Sequence, residues 1–217
     1  MISPSDKSYQ ETKLIKQGKA VMDPDFIPLA AWIDKTYNVQ TMNIIYDVIG
    51  DDKLPRLEIV FEKGWGVAAF HPAIGSIHKT AILRVFEAEV NSTGKYRTEN
   101  MFVIFDSFAS VAIEEAHGHI STFQLEQLQN ALRIESLWKI SSSDGGGIIT
   151  FFFYTDQQVQ ENTGNGVKEM LADRYFQLLK SHDEFNYIKR EYFDVSLDSK
   201  ENLDRNYSGS LLYYYRH

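Results

Sequence analysis

Three groups of side chains in this chain have the types and spacing that chemistry requires. The first is Glu114-Glu115-Ala116-His117-Gly118-His119. If residues 108–117 are helical, Glu114 and His117 share a face at the three-residue spacing of carboxylate-bridged di-metal sites. Glu114, His117 and His119 are therefore the candidate metal ligands. Such a site also needs a second copy of that spacing and further carboxylates, and the similar region His182-Asp183-Glu184 lacks it. A helix end accounts for the same residues: histidines favour its negative pole, and Gly118 would supply a left-handed cap.

The second group is Trp65, Phe70 and His71, on a glycine-punctuated connection of the kind that hosts function, together with His78, which with His71 flanks a possible helix start. These are candidate ligand- or partner-binding residues. A general-base histidine needs a nucleophile and an orienting carboxylate, and Ser76 and Ser107 sit in no nucleophile elbow, so no catalytic residue is assigned. The third group is Tyr213-Tyr214-Tyr215. In a terminal strand over Leu211–Tyr215, Tyr213 and Tyr215 share one face, where rings offer contact area at low entropic cost.

Two further patterns are incomplete. Thr163-Gly164-Asn165-Gly166-Val167-Lys168 precedes a helix but lacks the full spacing of a phosphate-binding loop, which leaves Asn165 as a helix cap. Asp198, Asn202 and Asp204 lack the central glycine and terminal glutamate of a calcium loop, so Asp198–Ser208 reads as a solvated loop. No cofactor is expected.

The chain has 217 residues, 43% of them hydrophobic and 13% aromatic, enough to build a packed core. Its formal charge of -8 argues against a nucleic-acid footprint and is compatible with an acidic face that meets a basic partner. The absence of cysteine removes disulfides, thiolate catalysis and cysteine-held metal centres. The start, Met1-Ile2-Ser3-Pro4-Ser5-Asp6, lacks the apolar stretch of a secretory signal, and no window approaches the ~18 apolar residues of a membrane helix. The expectation is a soluble cytoplasmic protein with no membrane contact.

The elements that must position these groups repeat. Residues 1–22 read as an appendage, with a short helix opened by a Ser8/Glu11 capping box and closed at Gly18. Asp23-Pro24 then starts a helix carrying Phe26, Leu29, Ala30, Ile33 and Tyr37, with Asn38 at its C-terminal end. Strands around Met42–Val48 and Leu57–Phe61 flank a turn at Gly50–Pro55. A long helix through Ile77–Phe86 and a strand over Met101–Phe105 follow. The second half runs the same course: a helix from Ser121 or Thr122, strands from Leu137 and over Ile148–Tyr154 about a Ser143–Gly147 turn, a helix over Val167–Leu179, and a strand over Tyr192–Leu197. Leu57, Ile59 and Phe61 fall on Ile149, Phe151 and Phe153 at a displacement of about 92 residues, as Met101, Val103 and Phe105 fall on Phe193, Val195 and Leu197.

The resulting fold class is α+β: two similar α-β-β-α-β(β) lobes, predominantly antiparallel sheet with helices packed on one face. The divisions are 1–22, 23–119 and 120–217, with one continuous domain as the alternative. The order Phe123–Leu132, Leu137–Tyr154, Val167–Leu179 and Tyr192–Tyr215 resembles that of YezG-like toxin-immunity proteins. This resemblance implies a stoichiometric toxin-binding partner without catalysis, and it assigns no individual residue. The reading is a non-enzymatic, cytoplasmic protein-binding module, immunity- or adaptor-like, with an unidentified protein partner and self-association into a homo-oligomer left open. The alternative is a small-molecule-binding or metal-assisted enzyme with its site at the junction of the lobes.

Overall fold

The computed structural model describes residues 2–70, 72–143 and 147–216, with backbone alone for 72–76. His71 and most of the Ser143–Gly147 turn lie outside the described residues, as does the side chain of Ser76. The chain is α+β and divides into two compact units, Met1–Val111 and Ala112–His217.

In the first unit, α1 (Lys7–Lys16) precedes a 3-10 turn over Pro24–Phe26 and α2 (Ile27–Tyr37). Asp23 opens the turn as expected, its carboxylate accepting from Asp25 N at 3.0 Å, and Asn38 closes α2 in the left-handed conformation. A hairpin of β1 (Thr41–Ile49) and β2 (Leu54–Phe61) follows, then the short α3 (Gly64–Ala68), α4 (Pro72–Val85), a π-helical turn over Phe86–Val90, and β3 (Phe102–Ser107). The sheet order is β1-β2-β3, with β1 antiparallel and β3 parallel to β2.

Strand alternation divides this sheet into two faces. Ile44, Leu57, Ile59, Phe61 and Val103 pack with Leu29 and Ile33 of α2 and Ile82 of α4 in one apolar cluster. Each such side chain contributes about 1.5–3 kcal/mol by leaving water. The opposite face presents Asn43 and Asp47 of β1, Arg56, Glu58 and Val60 of β2, and Ile104 and Asp106 of β3. Residues 1–22 are no loose appendage, for α1 belongs to this second face. Tyr9 is buried and stacks on Phe108 at 5.3 Å, Asn43 donates to Thr12 Oγ1 at 3.2 Å, and Ile2 N donates to Asp106 Oδ1 at 3.1 Å. The Ser8/Glu11 capping box does not form, because Asp6 is the N-cap and Ser8 is buried inside the helix.

The unit boundary falls within α5 (Phe108–Gly118), where Gly118 is helical and not a left-handed cap. In the second unit come α6 (Thr122–Leu132), β4 (Leu137–Ser142), β5 (Ile149–Phe153), α7 (Asp156–Thr163), α8 (Val167–Lys180), a 3-10 turn over Arg190–Tyr192, β6 (Ser196–Ser199), α9 (Lys200–Tyr207) and α10 (Leu211–Tyr214). The order is β4-β5-β6, with β4 antiparallel and β6 parallel to β5. Leu137, Ile140, Phe151 and Phe153 pack with Leu171, Tyr175 and Leu179 of α8.

Three segments of the second unit differ from the sequence expectation. The strand expected over Tyr192–Leu197 begins only at Ser196, after the 3-10 turn. The loop expected over Asp198–Ser208 is mostly α9, capped by Ser199 accepting from Asn202 N at 2.8 Å. The closing strand expected over Leu211–Tyr215 is the short helix α10, capped by Ser210. An alternating tyrosine run satisfies a strand pattern, but the capping serines decide for helix locally.

The two sheets agree beyond strand order. Ile59 faces Phe105 as Phe151 faces Leu197, at the displacement of about 92 residues seen in the sequence. A register shift interrupts β1 between Thr41 and Asn43 and β4 between Leu137 and Lys139, at matching points opposite Phe61–Val60 and Phe153–Phe152. Beyond the strands, Ala109 N donates to Glu62 O at 3.0 Å as Glu201 N donates to Tyr154 O at 3.3 Å. Ser107 accepts from Ser110 N at 3.2 Å as Ser199 accepts from Asn202 N.

Candidate functional site

Beneath α1, the second face of the first sheet borders a cavity of about 270 Å³. Ile2, Asp6, Lys7, Ser8 and Glu11 line it from the N-terminal segment, Ile45, Tyr46 and Asp47 from β1, Arg56 and Glu58 from β2, and Ile104 from β3. The sequence produces this wall by simple alternation: Leu57, Ile59 and Phe61 turn into the core, so Arg56 and Glu58 must turn toward α1.

Arg56 is fixed by a fork on Asp47, Nε to Oδ1 at 2.9 Å and Nη2 to Oδ2 at 2.6 Å. This bidentate pairing raises the guanidinium further above its ordinary value. The same Nη2 lies 3.2 Å from Glu58 Oε2 as an ion pair without hydrogen-bond geometry. Glu58 is 0% exposed, and neither carboxylate oxygen has a hydrogen-bond partner that meets ordinary geometry. Burial pushes its carboxyl above the usual value of 4.5, against the opposing pull of the Ser8 hydroxyl and Arg56, while Asp106 and Asp47 push it up. A buried carboxylate with so few well-aligned donors is costly, and the Arg56 guanidinium and the Ser8 hydroxyl offset that cost only in part.

The lining holds Asp6, Glu11, Asp47 and Glu58 against Lys7 and Arg56. Lys7 does not relieve the imbalance, since its side chain is 88% exposed and pairs with Glu11 at 3.4 Å across one helical turn. The site therefore favours a positively charged occupant.

The residues singled out in the sequence are placed elsewhere. Phe70 is buried among Phe61, Phe105 and Tyr37, and His78 meets Tyr37 and Phe70 edge-on at 4.8 and 5.7 Å. These are packing contacts of the first unit. Trp65, on α3, is 54% exposed. In the second unit, His117 is partly buried, its ring stacked on Tyr175 at 6.4 Å, and burial lowers its pKa. His119 meets the His182 ring at 6.1 Å, and His182 Nε2 contacts Gln124 Nε2 at 3.0 Å. Among the described residues no group of three or more His, Cys, Asp or Glu side chains is placed to hold a metal ion, so Glu114, His117 and His119 do not assemble one.

Because α10 is helical, Tyr213 and Tyr215 do not share a strand face. Tyr213 is exposed, while Tyr215 turns inward beside Thr150 and Ser141. Sequence reasoning passed over Asp47, Arg56 and Glu58. The available signal was a pair of charges interleaved with the apolar positions of β2, with an opposite charge on the hairpin partner. No family model, curated protein or solved structure matches this chain.

Proposed function

We propose that this chain is a non-enzymatic protein-binding module of the cytoplasm, built by duplication of one α+β unit, whose first unit recognises a basic partner protein. The observation that carries the reading is the acidic cavity beneath α1, with its buried carboxylate, Asp6 at the N-cap and Glu11 on the helix. The overall charge of -8 supports a basic partner. The matching registers, register shifts and capping serines of the two sheets support duplication. An immunity- or adaptor-like role is one concrete form, in which a toxin or client presents a lysine- or arginine-rich surface. No helix among the described residues is long and apolar enough to cross a membrane.

The test is selection of random dodecapeptides on immobilised protein, followed by direct binding measurements on the wild type and on D6N/E11Q. The expected binders are rich in lysine or arginine, weaken as salt rises, and lose most affinity for the variant. Binders without basic residues, or equal affinity for both proteins, would overturn the reading.

A further inference from the structure

We infer that Asn165-Gly166, at the start of α8, is a site of spontaneous deamidation by water. The inference goes beyond the proposed function and does not depend on it.

The reaction needs a side-chain amide beside a main-chain nitrogen that can reach it. Of the asparagines in the sequence, Asn165 alone precedes glycine. After any other asparagine, a Cβ on the following residue crowds the approach of its nitrogen to the amide carbon, and glycine has none. Both residues are exposed, in the short connection between α7 and α8. Beyond the adjoining residues, no atom lies within 4 Å of where a Cβ on Gly166 would stand, so ring closure meets no neighbour. The Gly166 amide also has no backbone acceptor among the described residues, which leaves its proton to solvent.

The fold demands each member of the pair for its own reason. Gly166 is the N-cap of α8 at φ 83°, a left-handed conformation that favours glycine. Asn165 turns its side chain back onto the helix start, its Oδ1 accepting from Val167 N at 3.0 Å. That bond polarises the carbonyl whose carbon is to be attacked. Nδ2, the leaving group, is held only by Asn162 Oδ1 at 3.5 Å, a weak contact.

The step balances with water alone. The Gly166 nitrogen gives its proton to solvent hydroxide and attacks Asn165 Cγ, closing a five-membered succinimide ring. The Cγ–Nδ2 bond breaks, and the nitrogen leaves as ammonia with a proton from water. A second water opens the ring at either carbonyl, giving aspartate or isoaspartate. One water is consumed and one ammonia released overall, with no oxidation. Each event adds a carboxylate to a chain of formal charge -8, at a helix start where negative charge is favourable. The isoaspartyl product also adds a methylene to the main chain just ahead of α8, whose Leu171, Tyr175 and Leu179 fill the second core.

Asn91-Ser92 shows what protects an asparagine with a small follower. Asn91 is buried, its Oδ1 accepts from Tyr96 N at 2.7 Å, and its Nδ2 donates to Glu87 Oε2 and Tyr96 O at 3.1 and 3.0 Å. Both ends of that amide are fixed; at Asn165 one end is.

Incubation of the whole protein at neutral and at mildly alkaline pH, followed by intact mass and tryptic mapping, tests the site. The wild type is expected to gain about 1 Da in the peptide that ends at Lys168, faster at the alkaline pH, with aspartate and isoaspartate both found at position 165. The peptide containing Asn91 should keep its mass. N165Q, whose longer side chain would have to close a six-membered ring, should also keep its mass in the peptide ending at Lys168. The map of the wild type reads the site without any variant. No mass gain, a gain confined to other asparagines, or an equal gain in N165Q would overturn the inference.

Discussion

The second faces of the two sheets begin from the same register and end in opposite states. In the second unit, Phe152 is fully buried, meeting Tyr214 edge-on at 5.2 Å and Trp138 at 6.1 Å. Burial and the bond to Asp198 raise the Tyr214 hydroxyl well above its ordinary pKa. In the first unit, the position matching Phe152 is Val60, and the cover is α1, which leaves a cavity over Glu58. Thus the C-terminal cover closes chiefly on aromatic rings, whereas the N-terminal cover adds to its one Tyr9–Phe108 stack the polar contacts of Thr12 with Asn43 and of Ile2 with Asp106. The contrast shows that two units with matching strand registers can cover the second face of their sheets with different chemistry.

A related difference lies where the parallel strands end. Asp156 opens α7 and accepts from Ser199 Oγ and from Arg205 Nη2, the latter at 2.8 Å, and these bonds hold its carboxyl below the ordinary value. The matching residue of the first unit is Gly64, where an added Cβ would lie 3.7 Å from Ser110 Oγ and 4.0 Å from Ser107 Oγ. The capping serine is shared, and its acid partner belongs to the second unit.

These contrasts can be broken in order of expected effect. Phe152→Ala removes a fully buried ring and should cost about 3–5 kcal/mol in denaturant unfolding, whereas Val60→Ala should cost less, about 1–2 kcal/mol. Equal losses would contradict the idea that the second cover carries more packing. Glu58→Gln removes a poorly satisfied buried charge and should stabilise the ligand-free protein by about 1–2 kcal/mol at neutral pH. The sign follows from linkage. Folding raises the Glu58 pKa, so its contribution is present below the ordinary 4.5 and is lost as pH rises through the raised value. Stability of the wild type should fall relative to E58Q across that rise, and a parallel pair of curves would show Glu58 to be compensated. Gly64→Asp transplants the acid of the second unit and should gain about 1 kcal/mol through the helix start and a less flexible unfolded chain. A loss in thermal melting would mean that the two strand ends are less alike than their registers.

Much of the scaffold was legible because apolar alternation is a strong signal. Leu57, Ile59 and Phe61, like Phe151 and Phe153, declared their strands and their core faces, and Asp23-Pro24 and Asn38 marked the ends of one helical segment. The covers were not legible. The buried residues of α1 include Ser8, Tyr9 and Thr12, two of them hydroxylated and small, so hydrophobic periodicity underrates the helix. The C-terminal tyrosines alternate like a strand, and only their contacts with Phe152 and Asp198 reveal how they pack. The candidate site escaped for the same reason. Histidines and glycine-rich turns attract attention by type, while Glu58 acquires its character from α1 lying over it, a contact between residues far apart in the chain.

The most direct test of the contrast is the melting temperature of the wild type and E58Q between pH 5 and pH 8. The wild-type melting temperature is expected to fall relative to that of E58Q as pH rises, because folding raises the Glu58 pKa through burial. Parallel curves for the two proteins would contradict a costly buried carboxylate at the position where the second unit carries Thr150.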